Sequence, residues 1–409
     1  MDSTPESGTP VLDPPASTPP PAGAAAAAAG TSGAVSGPSP TRLHSLDAFR
    51  GATIAAMLLV NNPGTWSAIH PPLRHAPWHG WTPTDLIFPF FLFIVGVAMT
   101  FSFASRSAAG ADRGVLMRKA TRRAAILFGL GLILHAFPNF LDLSNLRIPG
   151  VLQRIALAYL AATALVLYLR PRGQAVATAA LLLGYWGLLM LVPFPGGTPG
   201  VLEPGMDIGA WVDRLVFGEA HLWSQSRTWD PEGLLSTLPA VATVMLGVFT
   251  GGWLRAGHGA RRTAAGLFGA GVAGLLAGLA WGMVFPINKP IWTSSYVVLT
   301  AGLALLTFGA CYWVIDVLGY RRWAKPFVVF GVNAIAAFFL SGLFARLLTL
   351  IRLPAGDGTV TLKGRIYDSV FVPLFSRPEN ASLAYAITFV LVWLGIMTVL
   401  YRRRIFIKV

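Results

Sequence analysis

Apolar residues along this chain come in long unbroken blocks, not in stripes or alternations. After Leu43, ten such blocks follow one another, at about residues 46–62, 84–104, 122–138, 149–169, 174–193, 233–254, 263–285, 295–317, 326–350 and 381–401. A helix needs about 20 residues to cross a hydrocarbon core of about 30 Å. Strands of a membrane barrel would be shorter and would alternate in polarity. The pattern therefore predicts an all-α, polytopic integral membrane protein of about ten transmembrane helices.

The connections between blocks alternate in chemistry. Arg106 to Arg123, Arg170 to Arg172, Arg255 to Arg262, Arg321 to Lys325 and Arg402 to Lys408 together hold 18 of the 31 Lys and Arg residues, against one acid, Asp112. Short loops rich in Lys and Arg stay in the cytoplasm, which places this set and both termini there. An even number of spans agrees. The other set, 63–83, 139–148, 194–232, 286–294 and 351–380, holds most of the acids and most of the Trp, Pro and Gly outside the helices. Chemistry is expected on that outer side.

Composition narrows the class further. Only 12% of residues are charged and 54% are hydrophobic, with a mean hydropathy of +0.61; a soluble domain carries about 25% charge. A net charge of +14 suggests nucleic acid, but the positive residues are dispersed between helices, so no nucleic-acid partner is expected and membrane lipids are. The single cysteine, Cys311, forms no intrachain disulfide, and neither CxxC nor His-rich spacing offers a metal site. Residues 1–41 are rich in Pro, Ser, Gly and Ala, with Ala24 to Ala29 uninterrupted. They read as a disordered cytoplasmic tail without the basic start of a signal peptide, leaving 42–409 as one transmembrane domain.

Polar residues at the block edges carry the candidate chemistry. His75-Ala-Pro-Trp78-His-Gly80-Trp-Thr82-Pro-Thr-Asp85 sits where an outer loop enters an apolar helix. Imidazole titrates near neutrality, so a histidine there with an entering aspartate can move protons. The stretch also reads as an interfacial loop anchored by Trp78 and Trp81. Asp47 and Arg50 share a helix face as an ion pair or as an anion contact at the cytoplasmic mouth, and Asn61 closes that span on the outer side. Gln153 and Arg154 lie in the first turns of the fourth span and need buried partners. Asp230-Pro231-Glu232 before the sixth span has the composition of a helix start, with Asp230 as N-cap. Lys289, in Asn288-Lys289-Pro290, is isolated on the outer side and suits a carboxylate or a developing oxyanion. No Walker, dinucleotide or G-x-S-x-G pattern occurs.

Taken in order, Ser45-Leu-Asp-Ala-Phe-Arg-Gly51, His75-Ala-Pro-Trp78, Asp85-Leu-Ile-Phe-Pro89, Gly150-Val-Leu-Gln-Arg154, Asp230-Pro-Glu-Gly233 and Asn288-Lys289 with Trp292 and Ser295-Tyr296 resemble the catalytic membrane region of the heparan-α-glucosaminide N-acetyltransferase family and its bacterial relatives. The resemblance implies acyl transfer across a bilayer, from cytoplasmic acetyl-CoA to an amino sugar or glycan on the far side, in a bacterial inner membrane. It makes His75 the active histidine, with Asn61 and Asp85 as catalytic partners. Arg50, Arg118 and Arg122 would hold the CoA phosphates. Trp78, Arg154, Asp230, Glu232, Asn288 and Lys289 would face the acceptor. No metal is implied, and a homodimer is compatible. His75 would act as general base in a ternary complex, or be acylated first in a ping-pong route. A transporter or flippase of a lipid-linked sugar would use the same buried charges without a CoA site.

Overall fold

The computed structural model describes residues 43–407 apart from 109 and 357. The tail read as disordered, 1–41, lies outside the described residues. The helices in chain order are α1 (His44–Asn61), α2 (Ile87–Ala108), α3 (Arg113–Ala136), α4 (Val151–Tyr168), α5 (Pro171–Leu191), α6 (Ile208–Phe217), α7 (Thr237–Arg255), α8 (Ala260–Gly282), α9 (Ser294–Cys311), α10 (Lys325–Val332) and α11 (Ala334–Leu350). A short antiparallel hairpin follows, β1 (Arg352–Ala355) against β2 (Gly358–Thr361), with Leu353 opposite Val360. Then come α12 (Leu362–Ile366) and α13 (Pro378–Arg402).

Every apolar block becomes helix, but not every one becomes a plain span. Among the described residues, seven helices are long and apolar enough to cross a membrane, and the pair α10–α11 makes an eighth if taken as one span. The helices α1 and α3 fall short because of their own polar residues. Asp47, Arg50 and Asn61 lie within α1, and Arg113, Arg118, Lys119, Arg122 and Arg123 crowd the first half of α3. The single ninth span expected over 326–350 is instead two helices bent by 82°. The break is at Asn333, which leaves helical geometry (φ −118°, ψ 36°). Its buried amide donates to the Ile405 carbonyl at 3.0 Å and accepts from Ile407 N–H at 2.9 Å, tying the C-terminal segment to the kink.

Close helix packing rests on paired glycines, as it does where apolar lipid gives helices no hydrophobic reason to associate. A Cβ at Gly96 of α2 would stand 1.9 Å from the Val244 carbonyl oxygen of α7, and one at Gly247 would stand 2.0 Å from that of Phe93. The largest apolar core, with Ile54, Leu92, Ala158 and Met245 fully buried, lies between α1, α2, α4 and α7.

Candidate functional site

The loop before α2 is folded around one carboxylate. Pro83–Leu86 forms a short helical turn capped by Thr82, and the Asp85 side chain reaches back to the cap. Asp85 is 1% exposed. Its Oδ2 accepts the backbone N–H groups of Ala76 and Thr82, each at 3.0 Å. Its Oδ1 accepts from His75 Nδ1 at 2.6 Å and from Lys289 Nζ at 3.3 Å. Four donors converge on one side chain, so Asp85 is an acceptor already in use and not a free base. With Nδ1–H donated to the carboxylate, His75 keeps its Nε2 lone pair free, and that ring is 48% exposed.

Lys289 arrives from a loop 214 residues away in sequence. The 286–293 turn is built on Asn288, which is fully buried. Its side chain accepts Ile291 N–H at 3.0 Å and donates to His79 Nδ1 at 3.3 Å, while its own N–H donates to Thr293 Oγ1 at 3.0 Å. A backbone bridge pairs His79 with Asn288, and Gly80, at φ +96°, donates its N–H to the Ile287 carbonyl at 2.7 Å. Loop is thereby pinned to loop, with Lys289 Nζ 3.0 Å from His75 Nδ1. An ammonium cannot donate to a nitrogen that already bears a proton, so its acceptor is Asp85. Burial pulls the Lys289 ammonium below its ordinary pKa, opposed by the charges of Asp85 and Glu232. Tyr296 of α9 donates its hydroxyl to the Asp85 carbonyl from beneath.

A second network adjoins the first. Arg147 grips Asp230 with two hydrogen bonds, at 2.8 and 2.6 Å, and Glu232 with a third at 2.6 Å. Burial alone would lower the pKa of Arg147, but Glu232 and Asp230 raise it. The N-cap expected of Asp230 is not what forms: α7 begins at Thr237 after Ser236, and Asp230 accepts from Glu232 N–H at 2.9 Å within a turn. A capping pattern is local, whereas the partner that claims this carboxylate stands 83 residues upstream.

Arg154, 1% exposed, donates to the Gly233 carbonyl at 3.1 Å and to Ser236 Oγ, and lies 5.0 Å over the Trp292 ring. Its Nε and Nη1 have no protein partner. The Trp292 ring also meets Phe88 edge-on at 5.0 Å, just inside Asp85. Trp78 donates Nε1–H to the Leu202 carbonyl at 2.6 Å and meets Trp229 at 4.9 Å.

At the opposite end of α2 and α4 lies a cavity of about 350 Å³, lined by Arg50, Arg106, Arg123, Phe91, Ile155 and Tyr159 among others. Arg123 stands 5.1 Å over the Tyr159 ring, with its buried Nε unpartnered. Arg118 and Arg122, expected to share this role, are exposed and do not line it. They occupy one i, i+4 stripe of α3, while Ala120, Arg123 and Leu127 form the inward stripe. A smaller, water-sized cavity shares Phe91 and Ile155 with the large one and reaches Phe88 and Val151. Phe91, in the first turns of α2, follows Asp85 by six residues, roughly 9 Å at α-helical rise.

The structure thus gathers His75, Asp85, Asn288 and Lys289 with the Trp78 loop, and sets Arg154, Asp230 and Glu232 beside them. Asn61 ends α1 exposed, with no hydrogen bond to this cluster. Arg147 joins as a residue to which the sequence reading gave no role of its own, and Tyr296, there only part of a family motif, gains a contact. No group of three or more His, Cys, Asp or Glu side chains able to hold a metal is found among the described residues.

A helical membrane protein with a carboxylate-oriented histidine at one face and a basic cavity at the other is the class that fold and site define. Residues 42–280 match the family model described as heparan-alpha-glucosaminide N-acetyltransferase, catalytic, and the chain belongs to that family. It is 28% identical over 430 residues to human heparan-alpha-glucosaminide N-acetyltransferase, with 90% of this chain and 60% of the relative covered. To the mouse protein of the same name it is 28% identical over 355 residues, with 73% and 53% covered. The chain therefore spans little more than half the length of these relatives.

Proposed function

We propose that this protein transfers an acetyl group from acetyl-CoA, bound at the basic cavity, to an amino sugar or glycan hydroxyl at the outer face. The basic loops and both termini lie in the cytoplasm in this reading, in a bacterial inner membrane. The observation that carries it is the His75–Asp85 pair, in which Nδ1–H is committed to the carboxylate and the half-exposed ring presents Nε2.

In the reaction, the acceptor nitrogen or oxygen attacks the thioester carbonyl while His75 Nε2 takes its proton. The carbon–sulfur bond breaks as the tetrahedral intermediate collapses, and the imidazolium returns that proton to the departing sulfur. Asp85 holds the tautomer and stabilises the imidazolium; Lys289 and the two backbone N–H groups keep Asp85 ionised. A thioester is already activated, so an aligned acceptor and a base suffice, and Arg50, Arg106 and Arg123 supply charge for the CoA phosphates. Arg154, with Nε and Nη1 unused, and Trp78, Asp230 and Glu232 around it, are the groups that would meet the sugar.

The test is transfer of labelled acetyl from acetyl-CoA to glucosamine-bearing acceptors by His75→Ala. A general base contributes about 10²–10⁴-fold, and a loss of that order is expected in protein that still gains thermal stability from acetyl-CoA. Label retained on wild-type protein after acetyl-CoA alone, and absent from His75→Ala, would instead assign the acyl-histidine route. Near-normal turnover in folded His75→Ala would remove the histidine from the chemistry. Absence of any stabilisation by acetyl-CoA would favour a transporter.

A further inference from the structure

A second large cavity, about 450 Å³, lies apart from both the outer cluster and the basic cavity, between α7, α8 and α9. It exists because α8 carries almost no side chain on one stripe: Gly266, Ala270 and Gly274 recur every four residues and face Phe249 and Trp253 of α7 and Leu305 of α9. The groove is closed at one end, where a Cβ at Gly274 would lie 3.0 Å from Gly302 Cα. Near the other end the Trp253 ring stands over Gly266, held by Nε1–H donation to the Thr263 carbonyl at 3.2 Å and by contact with the His258 ring at 4.1 Å.

The lining offers nothing to a polar ligand. Its one hydroxyl, on Thr250, already donates to the Leu246 carbonyl at 2.9 Å, and the indole N–H is engaged as above. Only hydrocarbon gains by filling such a space. The open end is charged. Arg262 stands four residues before Gly266 on the same stripe, flanked by Arg255 and Arg261, all exposed. None of the three forms an ion pair among the described residues, and no acid occurs from 255 to 275. A two-fold copy of this chain seated here would bring these arginine clusters towards each other, which disfavours that occupant.

We propose that this groove holds one acyl chain of an anionic phospholipid, drawn from the leaflet that meets the basic loops, with the lipid phosphate at Arg262 and its neighbours. Neither the chain-filling side nor the charge requires any part of the transferase chemistry, so the proposal stands or falls separately from it.

The test is native mass spectrometry of the full chain in detergent, with phosphatidylglycerol or phosphatidylcholine of identical chains added. Wild type is expected to retain phosphatidylglycerol in preference to phosphatidylcholine. Ala270→Phe, at an exposed position that lines the groove, should lose the bound lipid while keeping its melting temperature. Arg262→Gln, a surface change that cannot compromise folding, should lower phosphatidylglycerol retention about five-fold, the effect of one basic residue near an anionic headgroup. Equal retention of the two lipids by wild type, or unchanged retention in both variants, overturns the proposal. So does a switch from dimer to monomer in Ala270→Phe with lipid retention unaltered, which would assign the groove to a second copy.

Discussion

Asp85→Asn is the perturbation that most directly probes the outer site, because the geometry dictates how the amide must sit. Turned with its NH2 towards Ala76 and Thr82, the side chain would oppose two backbone N–H donors and lose both 3.0 Å hydrogen bonds. Turned the other way it keeps them, and its NH2 then faces His75 Nδ1 and Lys289. The second orientation wins. Histidine Nδ1 must now accept, so the ring proton moves to Nε2 and the base is lost without any change in packing. The expected fall in turnover is about 10²–10⁴-fold, the range for a general base. Lys289, only 18% exposed, would lose its carboxylate and keep only the neutral His75 Nδ1, 3.0 Å away, as acceptor; hydrogen bonds to charged groups contribute about 1.5–3 kcal/mol, so a lower melting temperature should accompany it. Single-turnover transfer and acetyl-CoA affinity should be measured separately, alongside the Asp85→Asn/His75→Ala double variant. If Asp85 acts through His75, the double variant is no slower than His75→Ala alone. Turnover of Asp85→Asn within about three-fold of wild type, or losses that multiply in the double variant, would refute the orienting role.

Three further outcomes are expected. Burial raises the Asp213 carboxyl to about 7 from an unfolded value of 3.8; the folded state then holds a proton that the unfolded chain has lost, so stability falls as pH rises between those values and levels above. The full effect is up to roughly 4 kcal/mol, and Asp213→Asn, which can still accept Leu234 N–H, should flatten the melting profile and gain stability at pH 8; parallel curves would exclude it. Arg123→Ala should raise the Michaelis constant for acetyl-CoA by about 10–100-fold, the worth of a charge-assisted hydrogen bond, whereas Arg118→Ala and Arg122→Ala should leave it unchanged; equal effects of all three would return the site to the α3 surface. Gly96→Ala should cost about 1–3 kcal/mol by forcing α2 from α7, read as a lowered melting temperature against Gly184→Ala, where an added Cβ meets nothing.

What could be read from the sequence follows the range of the interaction. Apolar blocks are local, and each of them is helical. The kink at Asn333 is not local: it is fixed by Ile405 and Ile407, more than 70 residues on, so 326–350 reads as one span. His75 and Asp85 are ten residues apart and were legible as a pair. Of the two readings of Asp230, cap and acceptor contact, the cap does not form, because Arg147 reaches the carboxylate from another loop. The arginines of α3 were legible as a cluster, yet which of them faces inward depends on helix phase, and a single step along the helix turns exposed Arg122 into cavity-lining Arg123.

Lys289 shows why the outer site cannot be assigned to either half of the chain. The family match ends at residue 280, before the turn that carries Asn288, Lys289 and Trp292. Residues 42–280 contain the histidine, its carboxylate and the Arg147 network, so the base and its orienting partner are complete there. The countercharge on Asp85 is not. It depends on the α8–α9 turn, which is held in place by the His79–Asn288 bridge and by Tyr296 beneath Asp85. Without that turn the carboxylate would keep His75 and the backbone N–H groups of Ala76 and Thr82 but would have no fixed countercharge. The lysine therefore acts on the base indirectly: by satisfying Asp85 with a charge that is not on the imidazole, it lets Nε2 remain the site that receives the acceptor's proton.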